Sequence, residues 1–128
     1  MRLRSLLFVP GDSERKFAKA RDIGADVLIL DLEDSVAPSM KSKARAMVAE
    51  QLADPAQRDW RFFVRPNPFD TGLTLEDLAA VVKPGLDGLL IPKADGAEDI
   101  RRIGHYLDAL ETRAGITLGT VKIAVVAT

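Results

Sequence analysis

The sequence contains no cysteine. Disulfide scaffolds, thiolate metal sites and cysteine nucleophiles are therefore excluded. It has one histidine, His105, on a segment with helical spacing and far from any strand end. A Ser-His-Asp triad is not plausible around it, and a surface position is expected. Cationic residues are not in excess. Eighteen Lys and Arg face nineteen Asp and Glu, for a formal net charge of −1. That balance gives a polyanion nothing to hold, so no nucleic-acid partner is expected. No run approaches the ~18 apolar residues of a membrane span, so no membrane partner is expected either. The apolar run Leu6-Leu7-Phe8-Val9 is cut by Pro10-Gly11-Asp12 and is too short for a secretory signal. A cytoplasmic location is the expectation. What remains is an ordinary globular mixture, 47% hydrophobic and 29% charged over 128 residues. It fits a single domain over residues 1–128 and does not fit disorder or a fibrous repeat.

Five short apolar runs divide the chain. They are Leu6-Leu7-Phe8-Val9, Val27-Leu28-Ile29-Leu30, Phe62-Phe63-Val64, Gly88-Leu89-Leu90-Ile91 and Lys122-Ile123-Ala124-Val125-Val126. Near-continuous hydrophobicity is the mark of parallel strands covered on both faces. Four segments with helical spacing lie between them, marked by Phe17, Ala20 and Ile23, then Ala44, Met47, Val48 and Leu52, then Leu75, Leu78, Ala79 and Val82, then Ile100, Ile103, Leu107 and Leu110. Ser39 is placed to cap the second helix, and Thr74 with Asp77 resembles a capping box. Gly24 and Gly115 are placed to end the first and fourth helices. Trp60 is expected to pack where the third strand begins.

The resulting order, βαβαβαβαβ, argues for an α/β protein with parallel strands and right-handed crossovers. The strands start near residues 5, 27, 61, 88 and 122. They are about 30 residues apart, and eight such units give roughly 250 residues, the usual size of a (β/α)₈ barrel. The chain reads as the N-terminal half of a TIM barrel, truncated after strand five. The competing fold is a five-strand doubly wound sheet, which would want a fifth helix after Val126.

In either fold, functional groups gather just beyond the carboxyl ends of the strands. There the sequence offers Asp12, Glu14, Arg15 and Lys16 after strand one and Asp31, Glu33 and Asp34 after strand two. Arg65 and Asn67 follow strand three, and Lys93 and Asp95 follow strand four. Acids and a guanidinium on one rim suit an anionic substrate beside a hard divalent cation. Plainer readings exist for each. The three acids can cap turns, but carboxylates this close repel, so structure alone gives no reason to cluster them. Arg65 can pair with Asp31 or Glu33 and still clamp a carboxylate. Lys93, Arg15 and Lys16 can be solvated, or Arg15 and Lys16 can hold a phosphate at a helix start.

Four motifs then follow in order: Ser5-Leu6-Leu7-Phe8-Val9-Pro10-Gly11; Leu30-Asp31-Leu32-Glu33-Asp34-Ser35-Val36-Ala37-Pro38; Val64-Arg65-Pro66-Asn67; and Leu90-Ile91-Pro92-Lys93. Each alone is weak. Together they resemble the citrate lyase β-subunit family of the HpcH/HpaI aldolase group, which includes malyl-CoA and citramalyl-CoA lyases. The resemblance runs from about residue 4 to residue 128. It implies a (β/α)₈ barrel that breaks a carbon–carbon bond with Mg²⁺. A 3-hydroxy acyl thioester (citryl, citramalyl or malyl, on CoA or an acyl carrier protein) is split into an acyl thioester and a 2-oxo acid. By resemblance, Arg65 binds the substrate carboxylate or carbonyl. Glu33 and Asp34 order the metal's water shell and the substrate, and Phe8 and Arg15 contact substrate or CoA. Asp31 and Lys93 belong to the same substrate-binding set. Phe8 lacks the hydroxyl that some relatives carry.

The family's two direct Mg²⁺ ligands, a Glu after strand five and an Asp after strand six, are expected beyond Thr128. None of the metal's direct ligands is expected within the 128 residues. A homo-oligomer, a trimer or hexamer, is the expected assembly. The alternative is a non-catalytic half-barrel that binds a thioester or pairs with another chain. A phosphoacceptor domain using Asp31 and Asp34 is a third reading, which Arg65 at the end of strand three disfavours.

Overall fold

The computed structural model describes residues 5–54, 58–91 and 97–125. Five strands alternate with four helices. They are β1 (Leu6–Pro10), α1 (Glu14–Arg21), β2 (Val27–Asp31), α2 (Lys41–Leu52), β3 (Arg61–Arg65), α3 (Thr74–Val81), β4 (Gly88–Ile91), α4 (Ala97–Ala114) and β5 (Lys122–Val125). The strands form one parallel sheet in the order β1-β2-β3-β4-β5. No strand is skipped, so every crossover moves the same way around the sheet. A doubly wound sheet reverses direction and places helices on both faces. This sheet does neither, and the chain is an α/β half-barrel.

The apolar packing agrees. Val9, Leu28, Leu30, Phe62, Val64, Leu89 and Ile91 belong to one core with helix residues such as Phe17, Val48, Leu78, Ile103 and Leu107. Alternate strand positions point the other way. There Val27, Ile29 and Phe63 form a separate cluster, with Leu90 and Ala124 against it and no helix residue in it. This second face is the barrel interior. It is well covered only at its centre: Leu6 and Phe8 on β1 are 54% and 47% exposed. Coverage of both faces, expected from the hydrophobic runs, therefore holds for β2 and β3 and not for the edge strands β1 and β5, where Val125 is also 47% exposed.

Two glycines allow the strands to close up. A Cβ on Gly88 would lie 2.5 Å from the Phe63 ring, so its absence lets that ring lie across the interior. A Cβ on Gly11 would meet the Asp31 carbonyl oxygen at 2.7 Å, and the Gly11 amide donates to that same oxygen at 2.8 Å. The Pro10-Gly11 pair thus seats the end of β1 against the end of β2.

Two expected helix caps are corrected. Ser39 does not cap α2. It lies inside a 3₁₀ turn, Pro38–Met40, which runs directly into the helix, and Met40 is the cap residue. Thr74 and Asp77 do not form a capping box. Leu73 precedes α3 without a side-chain cap, and both polar side chains serve Asn67 instead. Gly115 does follow α4 in the left-handed region, at φ 74°. Trp60 packs at the start of β3, 5.9 Å from Phe17 and 5.3 Å from Phe62 between ring centres. His105 is exposed on α4.

Candidate active site at the strand ends

The register puts Pro10, Asp31 and Arg65 side by side where β1, β2 and β3 end. All three share the parity of the interior face, so the Asp31 and Arg65 side chains emerge at its carboxyl rim. Arg65 Nε donates to Asp31 Oδ1 and Nη2 to Oδ2, both at 2.8 Å. This fork-on-fork pairing fixes the guanidinium plane as well as its charge. Glu33 Oε1 lies 3.4 Å from Arg65 Nε. Below them the Phe8 ring centre is 4.8 Å from the guanidinium carbon, a cation–π contact.

Asp31 also organises the loop that follows it. Its carboxylate accepts from the amides of Glu33 (2.8 Å) and Ser35 (3.0 Å) and from the Ser35 hydroxyl (2.6 Å). Burial alone would push this carboxyl up. The Arg65 and Ser35 side chains and the two amides outweigh burial and hold it at about 2. Burial, reinforced by the neighbouring Asp34 charge, pushes the Glu33 carboxyl up instead, against the opposing pull of Arg65. The Arg65 guanidinium is pushed up by its hydrogen bonds to Asp31, despite burial. The loop thus separates two carboxylates: one locked in the charged form, one held less firmly.

The structure brings Phe8, Asp31, Glu33 and Arg65 together. Asp34 is exposed beside Glu33. Arg15 is exposed in the first turn of α1 and takes no part in the cluster's ion pairs. Lys93 and Asp95 lie outside the described residues. Beside the cluster, an open groove of about 660 Å³ runs between the loops after β2 and β3, with Glu33, Asp34, Lys41, Arg45, Asn67 and Glu76 among its walls.

Sequence reasoning missed three supporting residues. Ser35 was legible as a turn partner of Asp31, because Asp side chains bond amides a few residues on. Lys41 and Arg45 carried only the weaker signal of two basic residues one helical turn apart.

A divalent cation can be tested against these donors. Among the described residues no group of three His, Asp or Glu side chains is placed to hold a metal. Asp31 is spent on five donors. Glu33 and Asp34 supply hard carboxylate oxygens at the rim, the donor type that a divalent cation or its water ligands take.

The HpcH/HpaI aldolase/citrate lyase family model matches residues 4–127. The chain belongs to that family. It is 40% identical over 120 residues to the citrate lyase subunit beta of Escherichia coli K12, covering 94% of this chain and 40% of the relative. It is 41% identical over 108 residues to a (3S)-malyl-CoA thioesterase of Cereibacter sphaeroides, covering 84% and 38%. A crystal structure of protein CitE from Mycobacterium tuberculosis, in complex with magnesium and pyruvate, superposes with a TM-score of 0.58 at 37% identity, covering 77% of this chain and 39% of that one. The chain therefore spans about two-fifths of the length of these relatives. No helix among the described residues is long and apolar enough to cross a membrane.

Proposed function

We propose that this chain carries the 2-oxo-acid-binding rim of a Mg²⁺-dependent carbon–carbon lyase acting on a 3-hydroxy acyl thioester. The observation that carries the reading is the Arg65 guanidinium, held in plane by Asp31 and stacked on Phe8 at the end of β3. Asp31 uses Nε and Nη2, and Nη1 makes no hydrogen bond among the described residues. That edge remains to receive a carboxylate or 2-oxo group. Asp31 works through Arg65 and does not itself meet the substrate.

In the cleavage direction the substrate hydroxyl loses its proton and becomes the carbonyl of the 2-oxo acid. The carbon–carbon bond breaks, and its electron pair passes to the carbon α to the thioester, which then takes a proton. Mg²⁺, when bound, polarises the oxygens of the 2-oxo acid. Glu33 and Asp34 would hold the ion through its water shell at the rim. Arg65 neutralises the carboxylate and orients the oxo group. Phe8 and Arg15 serve the substrate or its thioester carrier, CoA or a carrier protein, and Lys93 belongs to the substrate-binding set.

Titration of the chain with pyruvate in the presence of Mg²⁺, followed by NMR, tests this. Pyruvate is expected to shift the Phe8 and Arg65 resonances, and Arg65→Ala is expected to abolish the response. An equal response from Arg65→Ala would overturn the reading.

A further inference from the structure

Helix α2 carries two basic side chains four residues apart, on one face. Lys41 reaches the loop after β2, and Arg45 reaches Asp77 on α3, which in turn holds the loop after β3. Lys41 Nζ donates to the carbonyl oxygens of Leu32 (2.8 Å) and Glu33 (2.6 Å). Arg45 Nε donates to Asp77 Oδ1 at 2.7 Å. Asp77 Oδ2 in turn accepts from the Asn67 amide and from its Nδ2, both at 2.7 Å. The Thr74 hydroxyl holds the same residue from its other side, donating to the Asn67 carbonyl at 2.7 Å.

We propose that Lys41 and Arg45 are positioning residues. Together they brace the acidic loop after β2 against the loop that follows Arg65. The proposal rests on the reading of Arg65, Glu33 and Asp34 given above. The physical need is clear at both ends. Glu33 and Asp34 are adjacent acids that repel, and Asp31 restrains their loop through the amides of Glu33 and Ser35 and the Ser35 hydroxyl. Lys41 restrains it through the carbonyls, so the loop is tied from both sides. An exposed lysine keeps its rotamer freedom, and ordering this one on two carbonyls sacrifices that freedom. At the other end Asp77 is fully buried. A buried carboxylate persists only when paired and hydrogen-bonded. Its donors come from α2 and from the residue two beyond Arg65, so this acid ties α2 to the end of β3.

Amide hydrogen exchange on the chain, with pyruvate titration in the presence of Mg²⁺, tests the brace. In Lys41→Met the amides of Glu33, Ser35 and Val36 are expected to exchange about tenfold faster, as loss of a charged hydrogen bond implies. The β2 amides of Leu28 and Leu30 should be unchanged. Pyruvate affinity should fall by a similar factor, and Lys41→Arg should restore both. Arg45→Lys, which keeps the charge beside buried Asp77, should loosen the Asn67 amide without unfolding the chain. Unchanged exchange at residues 33–36 in Lys41→Met overturns the proposal. So does a loosened loop with unaltered pyruvate affinity. Failure of the wild-type chain to take up pyruvate overturns the functional reading, and the exchange data alone then decide the brace.

Discussion

Asp31 and Arg65 are 34 residues apart in sequence and directly opposite each other in the parallel ladder of β2 and β3. Their ion pair is therefore a cross-strand pair placed at the open rim. Removing either partner has two effects, one on the site and one on the fold. Arg65→Ala leaves the Asp31 carboxylate buried with only its loop donors, and should lose about 1–3 kcal/mol of stability. Arg65→Lys keeps the charge and loses the fork. It is expected to retain most of the stability and lose most of the 2-oxo acid binding. Denaturant titration beside pyruvate titration separates the two losses.

The same pair sets an acid limit. The Asp31 carboxyl is held at about 2, below its ordinary 3.8. A depressed folded value gives stability that is present above about pH 4 and is lost as pH falls through about 2. The shift corresponds to about 2 kcal/mol. Glu33 acts in the opposite sense, since a raised carboxyl costs stability as it ionises. The difference between wild type and Asp31→Asn isolates the Asp31 contribution. Unfolding curves for the two should converge on acidification below pH 4. A constant gap from pH 6 to pH 2 would contradict this assignment.

The interior floor depends on one missing methyl group. Gly88→Ala drives a Cβ into the Phe63 ring and should cost about 1–3 kcal/mol. Phe63→Leu vacates part of that space at its own cost. The double variant should be more stable than the sum of the two losses, because the clash has gone. Additive losses in thermal unfolding would mean that the ring has another place to go.

At the opposite end of the sheet, Glu111 on α4 is buried and accepts from the amides of Gly119 (3.2 Å) and Val121 (2.9 Å). It ties the α4–β5 turn to the helix that precedes it. Glu111→Ala should cost about 2–3 kcal/mol, because it leaves two amides without their acceptor. Glu111→Gln retains one acceptor oxygen and should cost less. Both should leave pyruvate binding intact in the chain that remains folded.

Much of this arrangement was legible in the sequence because it is local or periodic. The five strands follow from apolar runs, and their rim residues follow by counting past the last hydrophobic position. The sequence left Arg65 a choice between Asp31 and Glu33 as its partner, and the strand register settles on Asp31 for the two-pronged pair. The errors at Ser39 and at Thr74 with Asp77 have a common cause. Local spacing offers these polar side chains a nearby backbone amide as partner. The fold offers Asp77 and Thr74 better ones, Arg45 and Asn67, at distances in sequence that no periodicity reveals. Lys41 was hidden for the same reason, since it reaches back across a 3₁₀ turn to carbonyls eight and nine residues earlier.

Within β2 the rim carboxylate is one step from Leu30 and one step from Leu32, both buried in the helix-facing core. Side chains alternate strictly along a strand, so a slip of one residue exchanges the two faces. A single-residue insertion or deletion within 27–31 would turn Asp31 into the helix layer and present a leucine to Arg65. The strand's phase, beyond the identity of its residues, couples the chemistry of the rim to the packing behind it. Changes of length in this segment should be far more damaging than conservative exchanges among its aliphatic side chains.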